Sequence, residues 1–227
     1  MSLRFGLLGA IVSLGAVLGL VACDDGTSVV SGSDEQLARD ALVRDTDLPR
    51  GYDSADRPDT DTPFVDPADG CEALERVADT EPVARAGSDA FVAGDTSRWL
   101  TSTVWVFPDA PAATTALESV SSLESFDCFS AFFDAAFIEA TAEQNPRPFL
   151  VLDTIEATDV DLGDGGVRVE GVGRFTAGES QSSLAVAHTT VRSGRALAML
   201  HTIVGGDPDP EGDAELLSAM LSRLTER

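Results

Sequence analysis

The residues of this chain best suited to chemistry are its two histidines, since an imidazole can transfer a proton or bind a metal ion. His188 and His201 both fall in the last predicted β-hairpin. If Ser193 and Gly194 form its two-residue turn, His188 pairs with Met199, and His201 lies one diagonal step away on the same face. The two imidazoles could then share a metal ion or a proton. A metal ion would want a third ligand that local spacing does not supply. We therefore favour two imidazoles with ordinary hydrogen bonds, and predict no metal and no cofactor.

The hairpin face that carries both histidines is the candidate ligand-binding surface. Its side chains are larger and more mixed than those of the opposite face, where several alanines would let a helix approach closely. We predict a cleft lined by His188, Met199, His201, Val186 and Trp105. No catalytic residue is predicted. A hydrolase or transferase that uses His188 or His201 with an acid supplied by the fold stays open as an alternative.

The elements that position these histidines have the clearest sequence pattern. Four β-runs separated by short glycine-containing breaks predict an antiparallel meander, and they cover Phe149–Leu162, Val167–Ala177, Ser182–Arg192 and Arg195–Val204. A last amphipathic helix is predicted from about Glu211 to Thr225, with its apolar side facing the sheet.

The chain before the meander mixes helical and strand patterns. Helices are predicted at 34–46, 110–126 and 129–142, with a short one around Cys71, and strands at 84–93 and 98–107. The stretch Tyr52–Asp69 has few apolar residues and is predicted to be a long surface loop. Helices before, between and after an antiparallel sheet predict one two-layer α+β domain over residues 34–227.

The N-terminus has the pattern of a signal peptide. Arg4 precedes an apolar run from Phe5 to Leu20, which is shorter than the roughly 20 residues that a membrane-spanning helix needs. The sequence Leu20-Val21-Ala22-Cys23 resembles the lipobox of bacterial lipoproteins, which implies that Cys23 receives a diacylglycerol and becomes the new N-terminus. An ordinary signal peptide with a chance cysteine, or an uncleaved anchor, is the alternative.

These features divide the N-terminal region into two parts. Residues 1–22 are predicted to be the lipoprotein signal peptide, and residues 23–33 the lipidated cysteine with a flexible tether. The predicted location is the outer face of the cell membrane, with stable anchoring by two acyl chains.

The charge balance restricts the partners. The chain has 15 Lys+Arg, all of them Arg, against 39 Asp+Glu, for a net charge of -24. Such a field repels phosphate backbones, so nucleic acid is excluded as a partner. It also disfavours docking on anionic headgroups, so the lipid must supply the membrane attachment.

Cys71 and Cys128 are the two cysteines outside the lipobox. In an oxidising compartment the expectation for such a pair is a disulfide, which typically contributes about 2–4 kcal/mol to stability. Two distant cysteines lack the close spacing of a zinc site, and a catalytic thiol would need a free cysteine beside a base.

Several motifs follow one another along the chain. They are the lipobox, Asp47-Leu48-Pro49-Arg50-Gly51-Tyr52 after a helix, Cys71 in the next helix, Val104-Trp105-Val106-Phe107-Pro108-Asp109-Ala110, Cys128 after a helix, and Gly205-Gly206-Asp207-Pro208 after the last strand. Over residues 34–227 this layout resembles the extracellular sensor domain of the actinobacterial PknH-type serine/threonine kinases, which stand-alone lipoproteins also carry. The resemblance implies an α+β domain with a helix-flanked antiparallel sheet, a cleft and a ligand-sensing role. Members commonly have two disulfides, whereas one cysteine pair is available here.

These observations predict a non-catalytic, lipid-anchored binding or sensor module outside the cell. Its ligand would be a small molecule, a lipid or an envelope protein. A cell-envelope hydrolase or transferase and a lipid carrier are the alternative functions.

Overall fold

A computed structural model describes residues 32–55, 80–93, 98–120 and 149–225 of the chain. The signal peptide, most of the tether, all three cysteines and the helix predicted at 129–142 lie outside these ranges, so lipidation and the disulfide stay predictions. None of the helices in the described ranges is both long and apolar enough to cross a bilayer.

Antiparallel strands of the described residues form one sheet in the order β1-β3-β4-β8-β7-β6-β5, with β2 also paired to β4. The strands are β1 (Tyr52–Ala55), β2 (Ala84–Gly87), β3 (Ala90–Ala93), β4 (Arg98–Val106), β5 (Phe149–Val160), β6 (Gly166–Ala177), β7 (Ser180–Ser193) and β8 (Ala196–Gly205). The consecutive pairing of β5 to β8 confirms the predicted meander.

Three helices accompany this sheet: α1 (Gly32–Asp40), α2 (Ala110–Val120) and α3 (Pro210–Thr225). Asp109 caps α2 by accepting a hydrogen bond of 2.8 Å from the Ala112 amide, and Asp209 caps α3 in the same way at 3.0 Å from the Gly212 amide. Pro210 suits the first turn of α3, because its missing N–H has no partner within a helix at that position.

Helices cover both faces of the central strands, so the described residues form three layers and the predicted two-layer arrangement is wrong. On the face that we call the two-helix face, Ala196 and Ala198 of β8 pack with α1 and α3, as their small size predicted. On the other, the histidine face, Leu197 and Met199 pack with Ala113 and Ala116 of α2. The alternation of side chains along β8 places successive residues on opposite faces and so supplies both layers.

Two boundaries of the upstream elements differ from prediction. Tyr52–Ala55 is strand β1 rather than loop, because it pairs with Ala90–Ala93 of β3, a partner that local composition cannot reveal. Helix α1 ends at Asp40 instead of continuing to about Thr46. Its continuation is lost because the Val43 amide donates to the buried Ser102 hydroxyl at 3.0 Å.

The predicted strand 84–93 is divided into β2 and β3, which share one edge of β4. The break falls at Ser88, whose hydroxyl accepts a hydrogen bond of 2.9 Å from the Ser102 amide. The Ser88 amide in turn donates to the Ser102 carbonyl at 2.9 Å. A side chain thus takes the place of a backbone acceptor at this point, and the regular ladder is interrupted.

Candidate functional site

The two histidines lie directly opposite each other on neighbouring strands. Ser193 pairs with Ala196, so the hairpin turn consists of Gly194 and Arg195, one residue later than predicted. His188 therefore pairs with His201 and not with Met199, and the predicted diagonal placement is wrong. Moving the turn by one residue moves each partner by two, which preserves the face that every side chain occupies.

The turn position has a local cause. Gly194 has a φ of 57°, and the two-residue turns that suit β-hairpins need a positive φ at their first central position, which glycine adopts without strain. The Gly194 amide donates a hydrogen bond of 2.7 Å to the Asp164 carboxylate in the neighbouring β5–β6 turn. These two features select Gly194-Arg195 over Ser193-Gly194.

The histidine rings are in hydrogen-bonding contact. His188 Nδ1 lies 3.1 Å from His201 Nδ1, and the ring centroids are 4.3 Å apart. Thr190 Oγ1 lies 2.8 Å from His188 Nε2. Two tautomer arrangements satisfy these contacts, because the threonine hydroxyl can donate or accept. In both, one Nδ1 carries a proton and the other accepts it, so the neutral pair shares one proton across the strands.

Burial sets the charge state of this pair. His188 is 8% exposed, and burial lowers its pKa to about 4. The ring is therefore neutral at pH 7. Protonation of both rings would also bring two Nδ1–H groups together across the same short distance. The arrangement thus holds His188 as a neutral imidazole.

The five residues predicted to line the cleft all lie on the histidine face. Met199 is two residues from His201 along β8, and Val186 is two residues from His188 along β7, opposite Ile203. Trp105 of β4 is more remote and pairs with Leu197. Trp105 packs edge-to-face on Phe107 at a centroid distance of 6.3 Å, and the Arg85 guanidinium lies 5.6 Å from its ring centroid.

Buried threonines lie beside the histidine pair in the described part of the chain. In the next strand, β4, Thr101 stands opposite His201 and Thr103 stands opposite Met199. Both threonines are buried. Within the described ranges no group of three His, Cys, Asp or Glu side chains is placed to hold a metal ion.

The main feature that the sequence did not reveal is a buried ion network on the two-helix face. Asp213 of α3 accepts hydrogen bonds from Arg98 of β4, from Arg168 of β6 at 2.5 Å and from Thr202 of β8 at 3.2 Å. Arg168 also pairs with Glu170 at 2.7 Å. One sign of this network was present in the sequence. Asp213 lies four residues before Leu217 and seven before Met220, so it shares the apolar side of α3 with them. The carboxylates of this network balance the charges of its guanidiniums. Because Asp213 belongs to α3 and both arginines belong to strands, the ion pairs hold α3 against the sheet.

Comparison with known proteins leaves the family open. No family model matches the chain, and no curated protein matches it. The crystal structure of the extracellular domain of PknH from Mycobacterium tuberculosis aligns with a TM-score of 0.48 and 11% sequence identity, over 85% of this chain and 97% of that chain. A similarity at this level assigns neither family nor function, and the resemblance drawn from the motifs stays a prediction.

Proposed function

We propose that this protein is an extracytoplasmic lipoprotein, held to the outer face of the membrane by a lipid on Cys23, whose folded domain binds a ligand without catalysing a reaction. The ligand would be a small molecule, a lipid or an envelope protein. The lipobox-like sequence that ends at Cys23 supports the anchoring. The burial of His188, with both of its ring nitrogens engaged, is the observation that supports binding over catalysis.

The start of the folded domain is consistent with a short tether. Helix α1 begins at Gly32, so the segment from Cys23 spans at most about 30 Å when fully extended. Arg195 fastens this start to the sheet: it donates to the Asp34 carboxylate at 2.5 Å and to the Phe107 carbonyl at 2.9 Å. A lipid on Cys23 would therefore hold the turn between β7 and β8 near the membrane.

The burial of His188 argues against a hydrolase or transferase that uses this ring as its base. A general base must come within hydrogen-bonding reach of a substrate proton. His188 is almost fully buried, and its hydrogen-bonded neighbour Thr190 is 1% exposed. Both ring nitrogens of His188 are already engaged, one by His201 and the other by Thr190. A substrate would have to displace these contacts before the ring could act.

The anchoring is tested with the full-length chain in a bacterial host that processes lipoproteins. We expect the wild type to partition into the detergent phase of Triton X-114 and its N-terminal peptide to carry the mass of acyl chains. Cys23→Ser should enter the aqueous phase without that mass, while Ser28→Ala in the same segment should behave as wild type. Retention of Cys23→Ser in the detergent phase would refute lipidation at this residue.

Binding and catalysis are separated by a second experiment on the lipidated chain. Native mass spectrometry of protein taken directly from the membrane should reveal a co-purified molecule or one bound from an envelope extract. Chromogenic ester and glycoside substrates should show no turnover. Turnover that disappears in His188→Gln and in His201→Gln would establish the hydrolase alternative and overturn the proposal. A bound acyl lipid released to acceptor vesicles would identify a lipid carrier.

A further inference from the structure

We propose that His188, His201 and Met199 form a binding site for one soft monovalent metal ion of the copper(I) class. The site lies on the histidine face, between β7 and β8. The inference goes beyond the anchored binding module proposed above, and it does not depend on whether Cys23 carries a lipid.

The separation of the two ring nitrogens is close to that of a metal-bound pair. His188 Nδ1 and His201 Nδ1 lie 3.1 Å apart. Two nitrogens bound to one metal at about 2.0–2.1 Å lie roughly 3.3–3.6 Å apart when the angle at the metal is tetrahedral to trigonal. The two Nδ1 atoms therefore need to separate by about 0.2–0.5 Å, and the rings, whose centroids lie 4.3 Å apart, must also turn so that both lone pairs point at an ion in place of the shared proton. This follows from the direct pairing of His188 with His201.

Thr190 orients the first ligand. Metal-bound histidines commonly donate their second ring N–H to an oxygen, which fixes the ring and the tautomer. Thr190 Oγ1, 2.8 Å from His188 Nε2, can accept that hydrogen bond and leave the Nδ1 lone pair directed at His201. When the ion binds, the Nδ1 proton of His201 is replaced and Nε2 of the same ring, a buried atom, takes up a proton as the ring turns toward the ion. Each neutral ring then carries one proton, on Nε2, and the step needs no oxidant or reductant.

Met199 supplies a third donor. It lies two residues before His201 on β8, so the thioether and the imidazole project from the same face, and Met199 is fully buried. Thr103 stands directly opposite Met199. Its buried hydroxyl has no hydrogen-bond partner in the described part of the chain, which leaves a polar atom available beside the thioether.

The chemistry of these donors selects the ion. Two imidazoles and one thioether carry no charge, and a thioether favours soft ions such as Cu(I). The cost of burying an ion rises with the square of its charge, so an uncharged set of ligands in a buried position suits a monovalent ion better than a divalent one. His201 is less buried than His188 and provides the side from which an ion can enter.

The first test uses the full-length chain in mild detergent, without a histidine tag and with free thiols blocked by N-ethylmaleimide. Cu(I), kept reduced by ascorbate, is titrated against a chromogenic Cu(I) chelator. We expect one ion per chain, with affinity reduced on the order of 100-fold in His188→Gln or His201→Gln and about tenfold in Met199→Leu. Met220→Leu is the matched control, because Met220 is equally buried but lies on the two-helix face. Absence of uptake, or unchanged affinity in both histidine variants, would overturn the proposal.

The second test does not require a variant to fold. The chain contains two histidines, so a long-range proton–nitrogen NMR spectrum of histidine-labelled protein contains signals from these two rings only. Without metal, one ring should carry its proton on Nδ1; with one equivalent of Ag(I), both should carry it on Nε2 and both Nδ1 signals should shift. Uptake of Ag(I) with neither ring affected would place the ion elsewhere. Tighter binding of Zn(II) than of Cu(I) at the same rings would refute the monovalent assignment.

Discussion

Arg168 of β6 and Asp213 of α3 form a buried ion pair, in which Nη1 donates across 2.5 Å to Oδ2 and the side chains are 8% and 2% exposed. Arg98 of β4 binds the other carboxylate oxygen. One carboxylate therefore contacts two guanidiniums and joins the last helix to strands that are far apart in the chain.

Removing this negative charge should be costly. Asp213→Asn keeps the shape of the side chain but leaves Arg98 and Arg168 without their common partner. Because breaking a buried pair leaves an uncompensated charge, we expect the free energy of unfolding to fall by about 3–5 kcal/mol in urea titrations. Asp209→Asn is the control, because Asp209 also pairs with Arg98 but is 48% exposed, and it should cost less than about 1 kcal/mol. Equal losses in the two variants would contradict this account.

Stability should fall on mild acidification because of His188. Its pKa is about 4 in the native protein, against an ordinary value of about 6.5, so between these pH values the unfolded chain binds the additional proton. The free energy of unfolding therefore decreases as pH falls through this window, by about 3 kcal/mol in total. Urea titrations at pH 7.5 and 4.5 in the presence of a chelator measure it. His188→Gln should lose correspondingly less stability over the same interval, and identical pH slopes would exclude this origin.

Gly194→Ala should be destabilising for a purely backbone reason. A Cβ at Gly194 would meet no atom within 4 Å, but the φ of 57° is unfavourable for alanine. We expect a loss of about 1–3 kcal/mol by thermal or urea unfolding. Gly32→Ala has equally open space and lies in α1 without a positive φ, so it should be neutral or slightly stabilising. A similar effect at both positions would show that the turn conformation is not the cause.

Asp34→Asn should loosen the start of α1 without unfolding the domain. Asp34 is paired with Arg195, whose side chain is 38% exposed, so the global cost should stay below about 1 kcal/mol. Hydrogen exchange of the amides in the first turns of α1 should nevertheless accelerate severalfold, because the start of the helix loses its ion pair with the sheet. Glu35→Gln breaks only an exposed pair within the helix and should leave exchange nearly unchanged. Unchanged hydrogen exchange in Asp34→Asn would show that Arg195 does not hold the start of α1 on the sheet.

The parts of the fold that the sequence predicts are those with local signals. The meander and α3 follow from side-chain periodicity and turn residues, and the two-residue hairpin turn was missed by one position only. Strand β1 could not be predicted, because Tyr52–Ala55 becomes a strand through a partner much later in the chain. For the same reason the pairing of Asp213 with Arg98 and Arg168 required the structure.

The candidate site divides in the same way. The sequence placed the histidines, Met199 and Val186 on one face, since alternation along a strand is local. It gave a diagonal pair instead of a direct one, because the turn lies at Gly194-Arg195, one residue later than predicted, and each cross-strand partner is displaced by two residues.

The two strands that pair with β8 lie at very different distances from it along the chain, and this difference has a consequence for the order of folding. β7 and β8 are joined by a two-residue turn and can pair within about 1–10 μs, whereas pairing with β4 must first close a long loop. We expect the hairpin to belong to the folding nucleus and β4 to add afterwards. Val191→Ala in β7 should then mainly slow refolding, and Val104→Ala in β4 should mainly accelerate unfolding in stopped-flow kinetics. The histidine rings would thus meet before the sheet closes around them.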